Sequence, residues 1–363
     1  MPPSSKAARP GPRHPTLLDI ASLAGVAPMT VSRVINDSGY VSAAMRKRVQ
    51  RAIDKLEYHP NVLARSLKSQ HTHVVGILLS DIHNPFSAEL AGSIQEVLLE
   101  GGYSAFISTT GQSTARELAA LSAFFDHRVA GIVVATVATR PGNQALERFI
   151  RRGMPIVMVG RESSRLKLDR VTANTWKGAY DAVEHLISLG HKRIGYIGAS
   201  PRNAGRLKRF QGFVDAMREH GLSVPEELIA GPENDSGPGY STQADGYAAI
   251  KKLLAQRRPP SAVFARNDFT AMGAISAARE RGLAIPGDLA IVGFDNVPLA
   301  AFTTPPLTTV EQPTAEQGRE AARMLLERVG QVSVLPKREV SFDCRLIVRE
   351  STVKSAGTLV RNA

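Results

Sequence analysis

The chain has 363 residues, 43% hydrophobic and 21% charged, which excludes a disordered chain and calls for two or three cores rather than one. No apolar run reaches the ~20 residues of a bilayer-spanning helix, and the Pro-rich basic stretch from Met1 to Pro15 lacks an apolar segment of the secretory kind. The net charge of +12 is uneven: residues 1–75 carry 11 Lys/Arg against 4 Asp/Glu, a net of +7, and the other 288 carry 34 against 29, a net of +5. That asymmetry points to a polyanion at the N-terminal end or to a solvated basic tail, and the pattern within the segment decides between them. The single Cys344 excludes an intramolecular disulfide and is expected to be a packed apolar side chain, so a cytoplasmic location is expected.

After a flexible arm (1–15), Thr16 is placed to cap a helix from Leu17 to about Ala24, with Leu17, Ile20, Ala21 and Ala24 forming the buried stripe. Gly25 supplies a tight turn, and Pro28 suits the first position of a second helix running to Ile35. That helix buries Val31, Val34 and Ile35 and presents Met29, Thr30, Ser32 and Arg33 outward. Turn residues from Asn36 to Gly39 follow. Ser42 can then cap a third helix, Ala43 to Glu57, with Met45, Val49, Ala52, Ile53 and Leu56 inward and Arg46, Lys47, Arg48, Arg51 and Lys55 outward. Three short helices with a Gly turn between the first two make a helix-turn-helix, whose second helix is sized for the major groove.

Two stretches carry a family resemblance: Thr16-Leu-Leu-Asp-Ile-Ala-Ser-Leu-Ala-Gly-Val-Ala-Pro-Met-Thr-Val-Ser-Arg-Val-Ile-Asn, and Tyr58-His-Pro-Asn-Val-Leu-Ala-Arg-Ser-Leu-Lys. In order and spacing they resemble the LacI/GalR repressor headpiece, and the Met-Thr-Val-Ser-Arg string is similar to that of gluconate-type repressors. The resemblance implies a DNA-binding domain over 16–60, and a hinge helix and linker over 61–73. Pro28 and Met29 fall at the recognition positions, with Arg33 as a major-groove contact able to grip guanine in bidentate fashion. Met29 is suited to a thymine methyl; the Pro-Met pair departs from the polar pair of better-known members, and Ala27 replaces the usual hydroxyl cap. Thr16, Thr30, Ser32 and Asn36 are expected on phosphates, and Tyr40 on DNA. In the hinge, Asn61, Ala64, Arg65 and Lys68 are expected at DNA, and Leu67 either wedges a base step from the minor groove or packs as a linker residue. Eight residues are too few for a helix that persists alone, which agrees with a hinge ordered by DNA.

From Val74 the rhythm changes to strands and helices in alternation. Apolar runs at Val74–Leu79, Tyr103–Ser108, Gly131–Thr136, Ile156–Gly160, Ile194–Gly198, Ala262–Ala265 and Leu289–Phe294 read as buried parallel strands. Helical stretches such as Ser87–Glu100, Trp176–Leu189 and Ala204–His220 separate them, giving a doubly wound arrangement. The resemblance implies two lobes, as in periplasmic sugar-binding proteins: 74 to about 172 with about 303–330, and about 173–302 with 331–350, before a tail at 351–363. The expected fold is α+β overall: an all-α headpiece followed by a bilobed, doubly wound α/β domain.

Ligands of such folds bind beyond the carboxyl ends of the strands. Ser80 to Phe86 follows the first strand and looks like the family's Asn-Pro-Phe element; Arg161, Asn267-Asp268 and Asp295-Asn296 each follow a later strand, and Arg206 and Arg209 precede Phe210. Forked guanidinium and carboxylate groups are what a hydroxyl-dense or acidic sugar needs, since buried hydroxyls must be paired. By position in the family motif Arg209 and Asp268 lead the candidates, with Phe86, Tyr240 and Asp295 next and Arg161, Arg206 and Asn267 completing the set. Asp268 is also placed to cap the helix starting at Phe269, Asp295 to bond its local turn, and Asn174 to end a strand or touch ligand. Trp176 is expected to pack.

The nine His show no metal spacing, and no Walker A loop, His-Glu-x-x-His, Gly-x-Ser-x-Gly or dinucleotide fingerprint is present, so neither metal, cofactor nor catalysis is expected. The expected function is a transcriptional repressor that binds near-palindromic operator DNA as a homodimer, controlled by a sugar or sugar-acid effector and without a membrane partner. A transport receptor would leave residues 16–68 without a role, and an enzyme of sugar metabolism would need catalytic groups that the sequence does not offer.

Overall fold

The computed structural model describes residues 15–58, 72–111, 113–136, 140–160, 166–201, 207–232, 242–330 and 336–353. Its contacts divide the chain into two units, meeting between Thr72 and His73.

The N-terminal unit holds α1 (Leu17–Ala24), α2 (Pro28–Ile35) and α3 (Ala43–Lys55). Thr16 and Asp19 cap α1 reciprocally: the Asp19 carboxylate accepts from Thr16 N at 2.8 Å, and Thr16 Oγ1 accepts from Asp19 N at 3.3 Å. Gly25 ends the helix at φ +62, a conformation open to a residue without Cβ. The chain then turns so that α1 and α2 meet at 106°, within the range of helix-turn-helix motifs. Ile20, Ala21, Ala24, Val31, Val34, Val49 and Ala52 form the core, with Ile35, Ile53 and Leu56 at its margin. Leu17 and Met45 were expected inside this core, but both are exposed. They occupy the first turns of α1 and α3, beyond the reach of so small a core.

The second unit contains two six-stranded sheets. The first lobe runs β1 (Val74–Leu79), α4 (Pro85–Glu100), β2 (Ser104–Thr109), α5 (Thr114–Asp126), β3 (Gly131–Ala135), α6 (Arg140–Arg151), β4 (Ile156–Val159) and β5 (Asp169–Ala173). The second runs α7 (Thr175–Ser188), β6 (Ile194–Ile197), α8 (Lys208–Glu219), β7 (Ile229–Ala230), α9 (Gln243–Leu254), β8 (Ala262–Ala265), α10 (Asp268–Glu280), β9 (Ala290–Asp295) and β10 (Thr308–Glu311). Then α11 (Thr314–Arg328) packs on α4 and beneath β3, β4 and β5, β11 (Glu339–Phe342) joins the first sheet, and β12 (Arg345–Ile347) joins the second.

The strand orders are β11-β5-β4-β3-β1-β2 and β12-β10-β9-β8-β6-β7, parallel throughout except for β12 against β10. The central strands are apolar and buried, as parallel strands covered on both faces must be.

The chain passes between lobes at Asn174, at Gln312–Pro313 and at Asp343–Cys344. The last two crossings differ from the expected ones near 303 and 331. Thr308–Glu311 belongs to the second sheet, in register with Val292–Asp295, and Glu339–Phe342 belongs to the first, in register with Arg170–Ala173. Both strands lack the apolar run that marks β1, β3, β4, β6, β8 and β9: β10 is Thr-rich, and β11 alternates exposed and half-buried positions at a sheet edge.

Candidate DNA interface and effector site

In the N-terminal unit, α2 turns Val31 and Val34 into the core, which leaves Pro28, Met29 and Arg33 exposed on the other face. Met29 is 64% exposed and Tyr40, beyond the turn, is 89% exposed. Thr30 and Ser32 are half-buried on the flanks. Ala27 offers α2 no side-chain cap, and Thr30 N donates instead to Ala27 O at 2.9 Å.

Three of the polar residues also serve the fold. Thr16 Oγ1 is held by Asp19 at 2.7 Å, and the Asn36 amide turns back onto Ser32 O at 2.9 Å. Arg48, expected outward, reaches instead to the end of α1, where its guanidinium donates to Ala24 O at 3.0 Å and Gly25 O at 2.8 Å. A cation on those carbonyls opposes the negative end of the helix dipole and fixes α3 against the turn.

In the second unit, the carboxyl ends of β6, β8, β9 and β10 gather a connected polar cluster. Asp295 ends β9 at φ +110 and is followed by Asn296 at φ +52, so the chain leaves the sheet in a conformation that non-Gly residues seldom adopt. The Asp295 carboxylate accepts from Arg209 Nη2 at 3.0 Å and from Gln312 Nε2 at 2.7 Å. Arg209, from the first turn of α8, also donates to Arg266 O at 2.6 Å, and its guanidinium lies 3.8 Å over the Phe294 ring. Arg266 in turn donates to Gly198 O at 3.4 Å. The guanidinium is thus fixed by a carboxylate, a carbonyl and an aromatic face, and its side chain keeps 20% exposure against 6% for Asp295. Burial raises the Asp295 carboxyl above the ordinary carboxylate range, while the charge of Arg209 and the bond from Gln312 pull it back.

Asp268 behaves differently from the expectation that it contacts ligand. It has no exposure; one oxygen accepts from Val297 N at 2.8 Å and the other from Thr309 Oγ1. Burial, with the nearby Asp295 charge, pushes its carboxyl up to about 8. Asp268 therefore ties α10 to the segment after β9 and to β10. Nor does it cap α10: Asn267 takes that place, its side-chain oxygen accepting from Thr270 N at 2.8 Å and Thr270 Oγ1 at 2.7 Å.

Phe86 stands half-buried in the first turn of α4, packed on the first lobe's core, with its N–H on the Asn84 side chain at 3.0 Å. Asn174 caps α7 through Lys177 N at 3.2 Å, and Trp176 packs on Tyr180 while its indole N–H bonds Asp215 at 2.8 Å. Asn61, Ala64, Arg65, Leu67 and Lys68 of the expected hinge, and Arg161, Arg206 and Tyr240 of the expected effector set, lie outside the described residues. Gln312, which holds Asp295, was missed by sequence reasoning: it follows a strand that the sequence does not announce, and glutamine carries no motif.

Residues 16–61 match the family described as bacterial regulatory proteins, lacI family, and residues 183–352 match the periplasmic binding protein-like domain. The chain is 37% identical over 338 residues to the HTH-type transcriptional regulator DegA of Bacillus subtilis (strain 168), covering 93% of this chain and 98% of the relative. It is 34% identical over 341 residues to the HTH-type transcriptional repressor PurR of Pasteurella multocida (strain Pm70), covering 94% and 99%. Among solved structures it is similar to the transcriptional regulator CelR in complex with cellobiose, with 31% identity, a TM-score of 0.68 and coverage of 93% and 99%. It is also similar to the Lac repressor bound to ONPG in the repressed state, with 26% identity, a TM-score of 0.81 and coverage of 94% and 100%. With a helix-turn-helix unit, two doubly wound lobes and such relatives along nine-tenths of its length, this chain belongs to the LacI family and is a DNA-binding transcriptional repressor.

Proposed function

We propose that a small polyhydroxylated effector, a sugar or sugar acid, binds at the carboxyl ends of the second lobe's strands and sets the affinity of a homodimer for a near-palindromic operator. The observation that carries this reading is the Arg209–Asp295–Gln312 cluster. Among the described residues only two of the five Arg209 N–H groups are engaged, and the ion pair keeps the guanidinium in place before a ligand arrives. A fixed donor fork beside a carboxylate suits adjacent hydroxyls or a carboxylate–hydroxyl pair. Phe86 adds an aromatic face for the CH side of a sugar ring. That a similar regulator, CelR, was solved with cellobiose supports a carbohydrate.

One headpiece reads a half-site, hence a dimer on a two-fold operator. Pro28, Met29 and Arg33 supply base contacts; Thr16, Thr30, Ser32, Asn36 and Tyr40 contact the backbone. Effector binding rotates the lobes about the three crossings, and the change reaches DNA through the segment at 61–73, where Leu67 is the expected wedge. The test is thermal unfolding of the full chain against D-ribose, cellobiose, D-gluconate and hypoxanthine. A ligand at 100 times its Kd adds about 2.7 kcal/mol and raises the midpoint. A shift with a carbohydrate or sugar acid supports the reading, a shift with hypoxanthine alone replaces the effector class, and no shift with any of them overturns it.

A further inference from the structure

Gln317 is 1% exposed on α11, yet its amide nitrogen has no hydrogen-bond partner among the described residues. Buried donors are nearly always paired, and one left open at a ligand-binding end of a fold needs an explanation. Its place in the chain supplies one. Gln317 N donates to Pro313 O at 3.0 Å, so the residue sits one helical turn past the second crossing between lobes. On the other side of Pro313, Gln312 sends its amide to Asp295, while its carbonyl accepts from Thr314 N at 2.8 Å. Side chains on a helix lean toward its N-terminus, which directs Gln317 back toward that crossing.

The direction of α11 agrees. Its far end carries Arg328, whose guanidinium grips the Asp169 carboxylate at 2.6 and 2.7 Å at the first residue of β5. The first turns of α11 therefore lie toward the carboxyl ends of the first sheet, the side on which doubly wound sheets receive ligands. They lie beside α4, with Gly318 closed against Leu90 and Ser93, one to two turns from Phe86. Packing alone does not call for a glutamine there, since an apolar side chain of equal volume would fill the same space without an open donor.

We propose that Gln317 is a specificity-determining residue: a hydrogen-bond donor from the first lobe to the effector, matched to a hydroxyl, ring or carboxylate oxygen on the part of the molecule that Arg209 and Asp295 do not hold. The inference rests on the effector-site reading above. It makes recognition two-sided, because an effector that engages both lobes favours their closed arrangement over the open one.

The test compares wild type with Gln317→Met, which conserves volume and removes the amide. Without ligand, the variant's unfolding midpoint is expected to equal or exceed that of wild type, because an unpaired buried donor has been removed. Calorimetric titration with D-ribose, cellobiose, D-gluconate and hypoxanthine is expected to show about a tenfold weaker affinity for whichever probe binds wild type. A lower midpoint without ligand would make the amide a structural group satisfied inside the fold, by buried water for example, and overturn the proposal. Equal affinity of the two proteins would overturn it as well. If none of the four probes binds wild type, the effector reading has failed and takes this proposal with it, a failure seen without the variant.

Discussion

Asp295 is held by two donors of different origin: Arg209 belongs to the second lobe, whereas Gln312 sits in a segment that crosses between lobes. A rotation of the lobes about that crossing would move Gln312 relative to β9 and so disturb the Arg209–Asp295 pair. Gln312→Ala is expected to weaken effector affinity about tenfold, with a stability loss of about 1–3 kcal/mol from the bond withdrawn at a buried carboxylate. Calorimetry and denaturant titration read the two effects separately. Asp268 gives a pH signature. Its carboxyl gives up its proton near 3.8 in an unfolded chain but near 8 in the fold, so the native state binds more protons between those values. Stability linked to this group is fully present below about pH 4 and is lost as pH rises toward about 8. Asp268→Asn keeps an acceptor for Val297 N and is expected to flatten that slope in urea titrations from pH 5 to 8.5. On the DNA side, Arg33→Ala is expected to relax base preference at one position of each half-site by about 1–3 kcal/mol, read by competition among single-base variants of the site; a uniform loss across them would make Arg33 a phosphate contact. The sequence showed Asp295 as a charged group after a strand and Arg209 by its place in the family motif, but burial and pairing decide a role, and these depend on segments far apart in the chain. Asp268 lay in the same kind of motif and proved enclosed.

At the scale of elements, the helix-turn-helix was legible because its signals are local. Thr16, Gly25, Pro28 and Ser42 each act on a neighbouring turn, and the stripes at Ile20–Ala24 and Val31–Val34 need only one helix to be recognised. Strands β1, β2, β3, β4, β6, β8 and β9 were legible for a similar reason, being read as apolar runs, whereas β5 (Asp-Arg-Val-Thr-Ala) and the two-residue β7 carry no such run and were not expected. Of the two strands placed in the wrong lobe, β11 pairs with β5 across more than a hundred residues and lies at a sheet edge, whereas β10 pairs with the nearby β9 but carries threonines in place of an apolar run. One further constraint joins elements. A Cβ at Gly293 on β9 would stand 2.2 Å from the Asp268 carboxylate and 2.9 Å from Leu307, so the strand leaves room there for α10 to insert its carboxylate. Gly293→Ala is expected to destabilise the protein by about 1–3 kcal/mol through that overlap, a lowered urea midpoint being the readout, although alanine favours regular structure elsewhere.

For the whole molecule, the charge asymmetry of the sequence and the exposed face of α2 belong to one unit, and the polar cluster belongs to the other. The proposed division of labour requires coupling between the two. A difference of about 1–3 kcal/mol between liganded and free states changes operator occupancy by about five- to 150-fold. The measurement that addresses this most directly is the affinity of the full chain for a duplex selected from a random pool, determined at fixed salt with and without the compound that gives the largest thermal shift. Binding to a two-fold symmetric duplex that changes at least about fivefold on saturation with the compound is the predicted result. Equal affinity in both conditions, with the compound demonstrably bound, would contradict it and separate the polar cluster from the control of DNA.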